Sequence, residues 1–160
     1  MTIQIGDRIS ETVLQYVDDG VHKIDTHTIF DGKRVVLFAV PGAFTPTCSE
    51  RHLPGFVERF KEFRARGIEV ACVSVNDPFV MQAWGQSQHV PGGLRMLADG
   101  NGDFARALGL ELDASGYGMG TRSKRFALYA EDGVVRQLHV EAPGEFRVSS
   151  ADYVLEHLPA

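Results

Sequence analysis

The stretch VVLFAVPGAFTPTC, residues 35–48, carries the strongest fold signal in the chain. Its first six residues are apolar and rich in valine, which indicates a buried strand that ends at Pro41-Gly42. From Ser49 to Arg66, apolar residues recur at spacings of three and four, which predicts one face of a helix that Gly67 stops. The segment therefore predicts a strand, a turn and a helix, with Cys48 in the first helical turn.

Strands and helices alternate outward from this unit. Residues 68–75, IEVACVSV, predict a second buried strand, and Asn76-Asp77-Pro78 then opens a helix. The apolar positions expected on that helix are Phe79, Val80, Ala83 and Trp84. The later predicted elements are a strand over Arg95–Ala98, a helix over Asp103–Leu108, a glycine-rich loop over Gly116–Gly120, a hairpin of Arg125–Ala130 and Val134–Val140, and a helix to Leu158 capped by Ser149 or Ser150. This order predicts one α/β domain over residues 1–160, with a thioredoxin-like fold and helices on both faces of a mixed central sheet.

Composition narrows the class of partner and the compartment. The net charge is −5 and no Lys/Arg run occurs, which argues against nucleic acid and against an anionic membrane surface. No apolar stretch approaches the ~18 residues that span a bilayer, and MTIQIGDRIS does not resemble a secretory signal. The two cysteines, Cys48 and Cys72, allow at most one disulfide. We therefore expect a protein of the reducing cytoplasm.

The position of Cys48 suits a reactive thiol, provided that a cation lies nearby. A cysteine in the first turn of a helix faces free backbone N–H groups and the positive end of the helix dipole. An ordinary cysteine has a pKa of about 8.5, and a helix terminus supplies at most ~2 kcal/mol, or ~1.5 pKa units. A dominant thiolate at neutral pH therefore needs a positive charge as well. Thr45, three residues before Cys48, can place a hydroxyl beside the sulfur.

Other interpretations of Cys48 stay open on chemistry alone. A free cysteine is usually a small buried hydrophobe, and Cys48 can be one. A metal site is disfavoured because no second Cys or His lies at ligand spacing and His52 is a lone partner. A self-contained dithiol oxidoreductase is disfavoured because the chain has no C-x-x-C motif.

At these residues a resemblance becomes specific. Pro41, Thr45 and Cys48 match the P-x-x-x-T-x-x-C signature of peroxiredoxins. Four longer strings resemble the type II, peroxiredoxin-V-like subfamily: PGAFTPTCSERHLPGF at 41–56, VSVNDPFVMQAW at 73–84, LADG at 97–100 and GTRSKRFAL at 120–128. The resemblance covers nearly the whole chain.

The resemblance implies an antioxidant thiol peroxidase that reduces hydrogen peroxide and organic hydroperoxides and needs no metal or other cofactor. Cys48 would be the peroxidatic nucleophile and would pass through a sulfenic acid. Thr45 would hold the sulfur and a peroxide oxygen, and Pro41 would shield the site from water. Arg125 would supply the required cation, with Arg122 as the other nearby candidate.

Aromatic and apolar residues give weaker expectations. Phe44, Met119 and Tyr117 are candidates for a pocket wall that admits organic peroxides, although loop packing explains the last two equally well. The resemblance also places Phe79 and Trp84, with the segment around Phe44, near a homodimer contact. Helical spacing instead favours a core position for Phe79.

The second thiol is not expected to resolve the first. Residues 145–151, EFRVSSA, lack the late cysteine that some animal members use. A helix of ~27 Å outward and a strand of ~16 Å back predict that Cys72 lies too far from Cys48 for a disulfide. The expected reductant is then an external thiol, glutathione with glutaredoxin or thioredoxin. Two other functions fit the same fold: a thiol transferase acting on disulfides, and a redox sensor whose oxidation alters an interface.

Overall fold

The computed structural model describes residues 1–159 and contains nine strands and five α-helices within that range. In chain order they are β1 (Val13–Val17), β2 (Val21–Asp25), α1 (Thr26–Phe30), β3 (Arg34–Val40), α2 (Leu53–Ala65), β4 (Glu69–Ser74), α3 (Pro78–Ser87), β5 (Arg95–Ala98), α4 (Asp103–Leu108), β6 (Glu111–Asp113), β7 (Thr121–Ser123), β8 (Phe126–Glu131), β9 (Val134–Val140) and α5 (Ala151–His157).

Seven of the strands form one mixed sheet, as the sequence predicts. The order across it is β2-β1-β5-β4-β3-β8-β9. The central strands β3, β4 and β5 run parallel, whereas β8 pairs antiparallel with β3 and β1 pairs antiparallel with β5. Because parallel strands need crossover helices, this centre follows from the predicted alternation of strands and helices.

Helices cover both faces of this sheet, which confirms the predicted architecture. Alternate residues of β3 point to opposite faces: Val36 and Phe38 join one apolar cluster, and Val35 and Leu37 join the other. The first cluster takes side chains from α2, α3 and α5, and the second takes side chains from α1 and α4.

Two hairpins and one short helix are additional to the predicted elements. The β1–β2 hairpin and α1 precede the predicted series, and β6 and β7 pair as a separate two-stranded sheet. The predicted loop at Gly116–Gly120 belongs to the connection between β6 and β7, which includes a short 3-10 turn at Ser115–Tyr117. In the first hairpin, Leu14 and Ile24 are buried while Val13 and Val21 are exposed, so the apolar pattern is weak.

The predicted apolar face of α3 is right for Trp84 and wrong for Phe79 and Ala83. Phe79 is 64% exposed and Ala83 is also exposed, whereas Trp84 and Met81 are fully buried. Gly85 also lies on the buried face. Met96 packs closely against it there, and a Cβ on Gly85 would lie only 3.0 Å from Met96 Cγ. The buried face therefore runs through Met81, Trp84 and Gly85, of which the sequence pattern singled out only Trp84.

None of the helices in the described chain combines the length and the apolar character needed to cross a bilayer.

Candidate active site

The turn between β3 and α2 is held against the end of β4. Asn76 Oδ1 accepts hydrogen bonds from the Ala43 backbone N–H at 3.0 Å and from the Ser74 hydroxyl at 2.6 Å. Phe44 takes a left-handed backbone conformation in this turn, with φ of 65°. The turn therefore places Cys48 at the carboxyl end of the central strands, where ligands of open α/β sheets bind.

Cys48 opens a wide, π-helical turn instead of the regular helix that the sequence predicts. The π-helix covers Cys48–His52, and the Leu53 N–H bonds to the Cys48 carbonyl before α2 continues. Cys48 and His52 are both fully buried in this turn. Such single π-turns are frequent at functional sites.

Arg125 lies directly against the sulfur. Its Nη2 donates a hydrogen bond to Cys48 Sγ at 3.1 Å. Arg125 immediately precedes β8, which pairs with β3, so the sheet brings together two residues that are 77 positions apart. Arg122 is placed differently, because its Nε donates to the Met119 carbonyl at 2.9 Å.

Thr45 and Pro41 also lie in the turn beside Cys48. The Thr45 hydroxyl donates to the Gly42 carbonyl at 2.6 Å, and the Ser49 N–H bonds to the Thr45 carbonyl at 2.9 Å. Because its single proton is used in this bond, the hydroxyl can present only lone pairs to a substrate. Pro41 is half-buried and lines the cavity above the site.

His52 joins Arg125 to a distant loop. Its Nδ1 is 2.8 Å from Arg125 Nη1, and its Nε2 is 2.9 Å from the Ser149 carbonyl oxygen. Burial, together with the Arg125 charge, lowers the pKa of His52 to about 3. His52 is therefore neutral, with its proton on Nε2, because the carbonyl can only accept and the guanidinium can only donate. From the sequence, His52 was a candidate only as a lone metal ligand, and its contact with Arg125 was not predicted.

Glu141 holds the loop that carries Ser149. Its carboxylate accepts from the backbone N–H groups of Arg147, Val148 and Ser149 and from the Ser149 hydroxyl, at 2.7 to 2.9 Å. Burial raises the pKa of Glu141, but these hydrogen bonds outweigh it and hold the pKa below its ordinary value. Glu141 is therefore a charged group at neutral pH, and nothing in its residue type or spacing identified it beforehand.

A cavity of about 230 Å³ opens beside this cluster. Pro41, Thr47, Arg125 and Glu141 line it, and so do Met119 and Tyr117, two of the residues predicted for its wall. Phe44, the third residue predicted for this wall, is not among the lining residues: it is 55% exposed in the turn that precedes the helix.

Cys72 is a fully buried free thiol on β4, and Cys48 is free as well. Burial, and after it the charge of Cys48, raise the pKa of Cys72 well above its ordinary value. Both thiols belong to the apolar cluster between α2 and the sheet, and both are free, so the expectation that they form no disulfide stays a prediction.

The described residues contain no group of three His, Cys, Asp or Glu side chains suited to holding a metal ion.

Comparison with known proteins relates the whole chain to one family. The Redoxin family model matches residues 4–155. Peroxiredoxin-2B of Arabidopsis thaliana is 46% identical over 159 residues, which cover 98% of this chain and 98% of that protein. Peroxiredoxin-2E, chloroplastic, of the same plant is 46% identical over 163 residues, covering 98% of this chain and 70% of that protein. The reduced Prx3 of Vibrio vulnificus in complex with H2O2 matches with a TM-score of 0.93 and 46% identity, over 97% of this chain and 98% of that one.

Proposed function

This chain belongs to the redoxin family and is a peroxiredoxin, a thiol peroxidase, and we propose that Cys48 is its peroxidatic nucleophile. The single observation that carries the proposal is the 3.1 Å hydrogen bond from Arg125 Nη2 to the buried Cys48 sulfur. A guanidinium against a sulfur at the start of a helix supplies the cation that the dipole alone cannot replace.

The reaction breaks the peroxide O–O bond and oxidises the sulfur. The Cys48 thiolate attacks the terminal oxygen of the peroxide and forms an S–O bond, which gives a sulfenic acid. The electron pair of the O–O bond leaves on the second oxygen, which takes a proton from solvent and departs as water or an alcohol. Arg125 stabilises the negative charge as it moves from sulfur to oxygen.

Thr45 and Pro41 orient and shield the substrate. Because the Thr45 hydroxyl donates to Gly42, it accepts from the O–H of the peroxide and so fixes which oxygen faces the sulfur. Pro41 limits water at the site, since its ring lines the cavity and carries no donor. The peroxide reaches the sulfur from the cavity past Pro41, Thr47 and Arg125.

The cavity favours organic hydroperoxides alongside hydrogen peroxide. Its lining includes apolar side chains from Leu112, Ala114, Met119 and Pro143 beside the charged Arg125. Replacing Met119 with serine is expected to lower kcat/KM for an aryl hydroperoxide severalfold and to leave hydrogen peroxide reduction nearly unchanged. An equal loss for both peroxides would show that Met119 supports the loop and does not contact the substrate.

The sulfenic acid is reduced by an external thiol, with glutathione and glutaredoxin as the first choice and thioredoxin as the second. Cys72 is the only other cysteine in the sequence, and its burial and raised pKa keep it in the unreactive thiol form. The working compartment is the cytoplasm, where such thiols are abundant.

Steady-state peroxide turnover tests this proposal. The wild-type chain and the Cys72→Ser variant are each assayed with glutathione plus glutaredoxin and with thioredoxin. We expect both proteins to turn over at similar rates with the glutathione system. A loss of turnover in Cys72→Ser, together with a Cys48–Cys72 disulfide in peptide mapping, would overturn the external reductant while leaving the peroxidase intact.

A further inference from the structure

The Arg125 guanidinium is fixed at the sulfur by hydrogen bonds that lead through His52 and Ser149 to Glu141, a residue that also lines the cavity. One of its terminal nitrogens, Nη2, is used for Cys48, and the other, Nη1, donates to His52 at 2.8 Å. A long flexible side chain held at two points loses most of its freedom to swing away from the thiolate. What holds His52 therefore also determines where the guanidinium lies.

His52 is held in turn by the loop that follows β9. The Ser149 carbonyl accepts the His52 Nε2 proton at 2.9 Å, and Ser149 is fully buried. Ser149 donates both its backbone N–H, at 2.8 Å, and its hydroxyl, at 2.7 Å, to the Glu141 carboxylate. The same carboxylate accepts the backbone N–H groups of Arg147 and Val148, so it organises the whole loop.

These contacts close into a ring on Arg125. The Glu141 backbone N–H donates to the Arg125 carbonyl at 2.9 Å, while its carboxylate reaches the Arg125 side chain through Ser149 and His52. The main chain and the guanidinium of one arginine are thus both tied to one glutamate. Hydrogen-bonded networks of this kind rigidify a site when every member is satisfied.

We propose that Glu141 is a positioning residue for peroxide reduction, which holds Arg125 against the Cys48 sulfur through Ser149 and His52. The inference rests on the proposed function of Cys48 and Arg125. Its mechanism is geometric: without the carboxylate the loop releases the Ser149 carbonyl, His52 turns, and the guanidinium loses its second anchor. Small displacements of a charge-stabilising group are enough to slow a reaction by large factors.

The direct effect of the Glu141 charge has the opposite sign. A negative charge near a thiolate disfavours the thiolate, so its removal by simple Coulomb interaction would speed both alkylation and peroxide reduction. If Glu141 instead acts by positioning Arg125, removal of its charge slows both alkylation and peroxide reduction. The sign of the change therefore separates the two explanations before any magnitude is considered.

The test is a double-mutant cycle between Glu141→Gln and Arg125→Ala, with Glu156→Gln as a control for an exposed glutamate on α5. The readouts are kcat/KM for peroxide and the pH profile of Cys48 alkylation. With Arg125 present, we expect Glu141→Gln to lower kcat/KM by about tenfold and to move alkylation to higher pH, whereas Glu156→Gln stays within about twofold of wild type. In the Arg125→Ala background the same Glu141 change should have less than about a twofold effect.

Three results would overturn the inference: an equal loss in both backgrounds, a gain in rate, or no change in the wild-type background. Ser149→Ala keeps the test decisive if Glu141→Gln does not fold, because it removes only one of the hydrogen bonds to the carboxylate. Ser149→Ala is expected to lower kcat/KM for peroxide by less than Glu141→Gln does, and only when Arg125 is present. Failure of wild-type turnover or of Cys48 modification would instead contradict the proposed function itself.

Discussion

Arg125 divides its two terminal nitrogens between the Cys48 sulfur and His52, so its charge acts at a defined point. Arg125→Ala should therefore move Cys48 alkylation to higher pH and slow peroxide reduction by about 10- to 100-fold, since a charge-assisted hydrogen bond contributes ~1.5–3 kcal/mol. Stopped-flow peroxide reduction and iodoacetamide alkylation across pH measure both effects. Arg122→Ala is the comparison variant, because Arg122 is the other arginine near the site and its guanidinium binds the Met119 carbonyl instead of the sulfur. A larger effect for Arg122→Ala would move the role to that residue.

His52 makes the folded state sensitive to acid. Its pKa falls from 6.5 to about 3 on burial beside Arg125, so an unfolded chain binds this proton near pH 5 and the folded chain does not. The resulting stability is complete above pH 6.5 and is lost as the pH falls toward 3. Between pH 7 and pH 5, wild type should lose about 2 kcal/mol more than His52→Asn, at ~1.4 kcal/mol per pH unit.

Urea unfolding at pH 7 and pH 5 measures this difference. His89→Asn is the control, because His89 is exposed and asparagine tolerates its left-handed backbone, with φ of 53°. Equal losses in wild type and His52→Asn would contradict the assigned neutral state of His52.

The sequence predicts the chemistry of single residues better than it predicts their contacts. The turn-to-helix position of Cys48 and the need for a cation follow from local chemistry, and the arginine itself followed only from the resemblance. The contact from His52 to Ser149 spans 97 positions. It exists because the loop after β9 folds back over the start of α2, which no local pattern encodes.

At the scale of elements, the packing of α2 on β3 supports the turn that carries Cys48 and His52. Phe56, one turn after His52, is fully buried and stacks on Phe38 of β3 with ring centroids 4.0 Å apart. Phe56→Ala should lower the free energy of unfolding by about 3–5 kcal/mol, because it leaves a large cavity between helix and sheet. Val57→Ala, at the next and only half-buried position, should cost about 1 kcal/mol. Denaturant unfolding compares the two, and similar losses would contradict the described packing of α2.

Most elements in the second half of the chain were predicted within one residue of their observed bounds, including β9 at the edge of the sheet. β5 and α4 have the predicted bounds. Because their apolar runs are continuous, β3 differs from the prediction by one residue at its start, and β4 differs by one residue at each end. The β1–β2 hairpin was missed because only one residue of each strand, Leu14 and Ile24, is buried. Asp19-Gly20 lies at its turn with both φ angles positive, and this pair is the signal that could have identified it.

At the scale of the molecule, we propose a homodimer. Phe44 and Phe79 are 55% and 64% exposed, and two aromatic rings left in water favour a surface that another chain covers. Trp84, predicted beside them, is fully buried and takes no part in such a surface. Light scattering of the reduced protein should give about twice 17.6 kDa, and Phe79→Glu should shift the mass toward one chain. A wild-type mass of one chain at working concentration would count against the dimer.

The residue that receives the peroxide oxygen is the most direct test of Cys48 as the nucleophile. The deciding measurement is mass spectrometry of wild type, Cys48→Ser and Cys72→Ser after one equivalent of hydrogen peroxide in the presence of dimedone, which traps sulfenic acids. We predict one adduct per chain on Cys48 in wild type and Cys72→Ser, and none in Cys48→Ser. An adduct on Cys72, or undiminished peroxide consumption by Cys48→Ser, would contradict the assignment of Cys48 as the nucleophile.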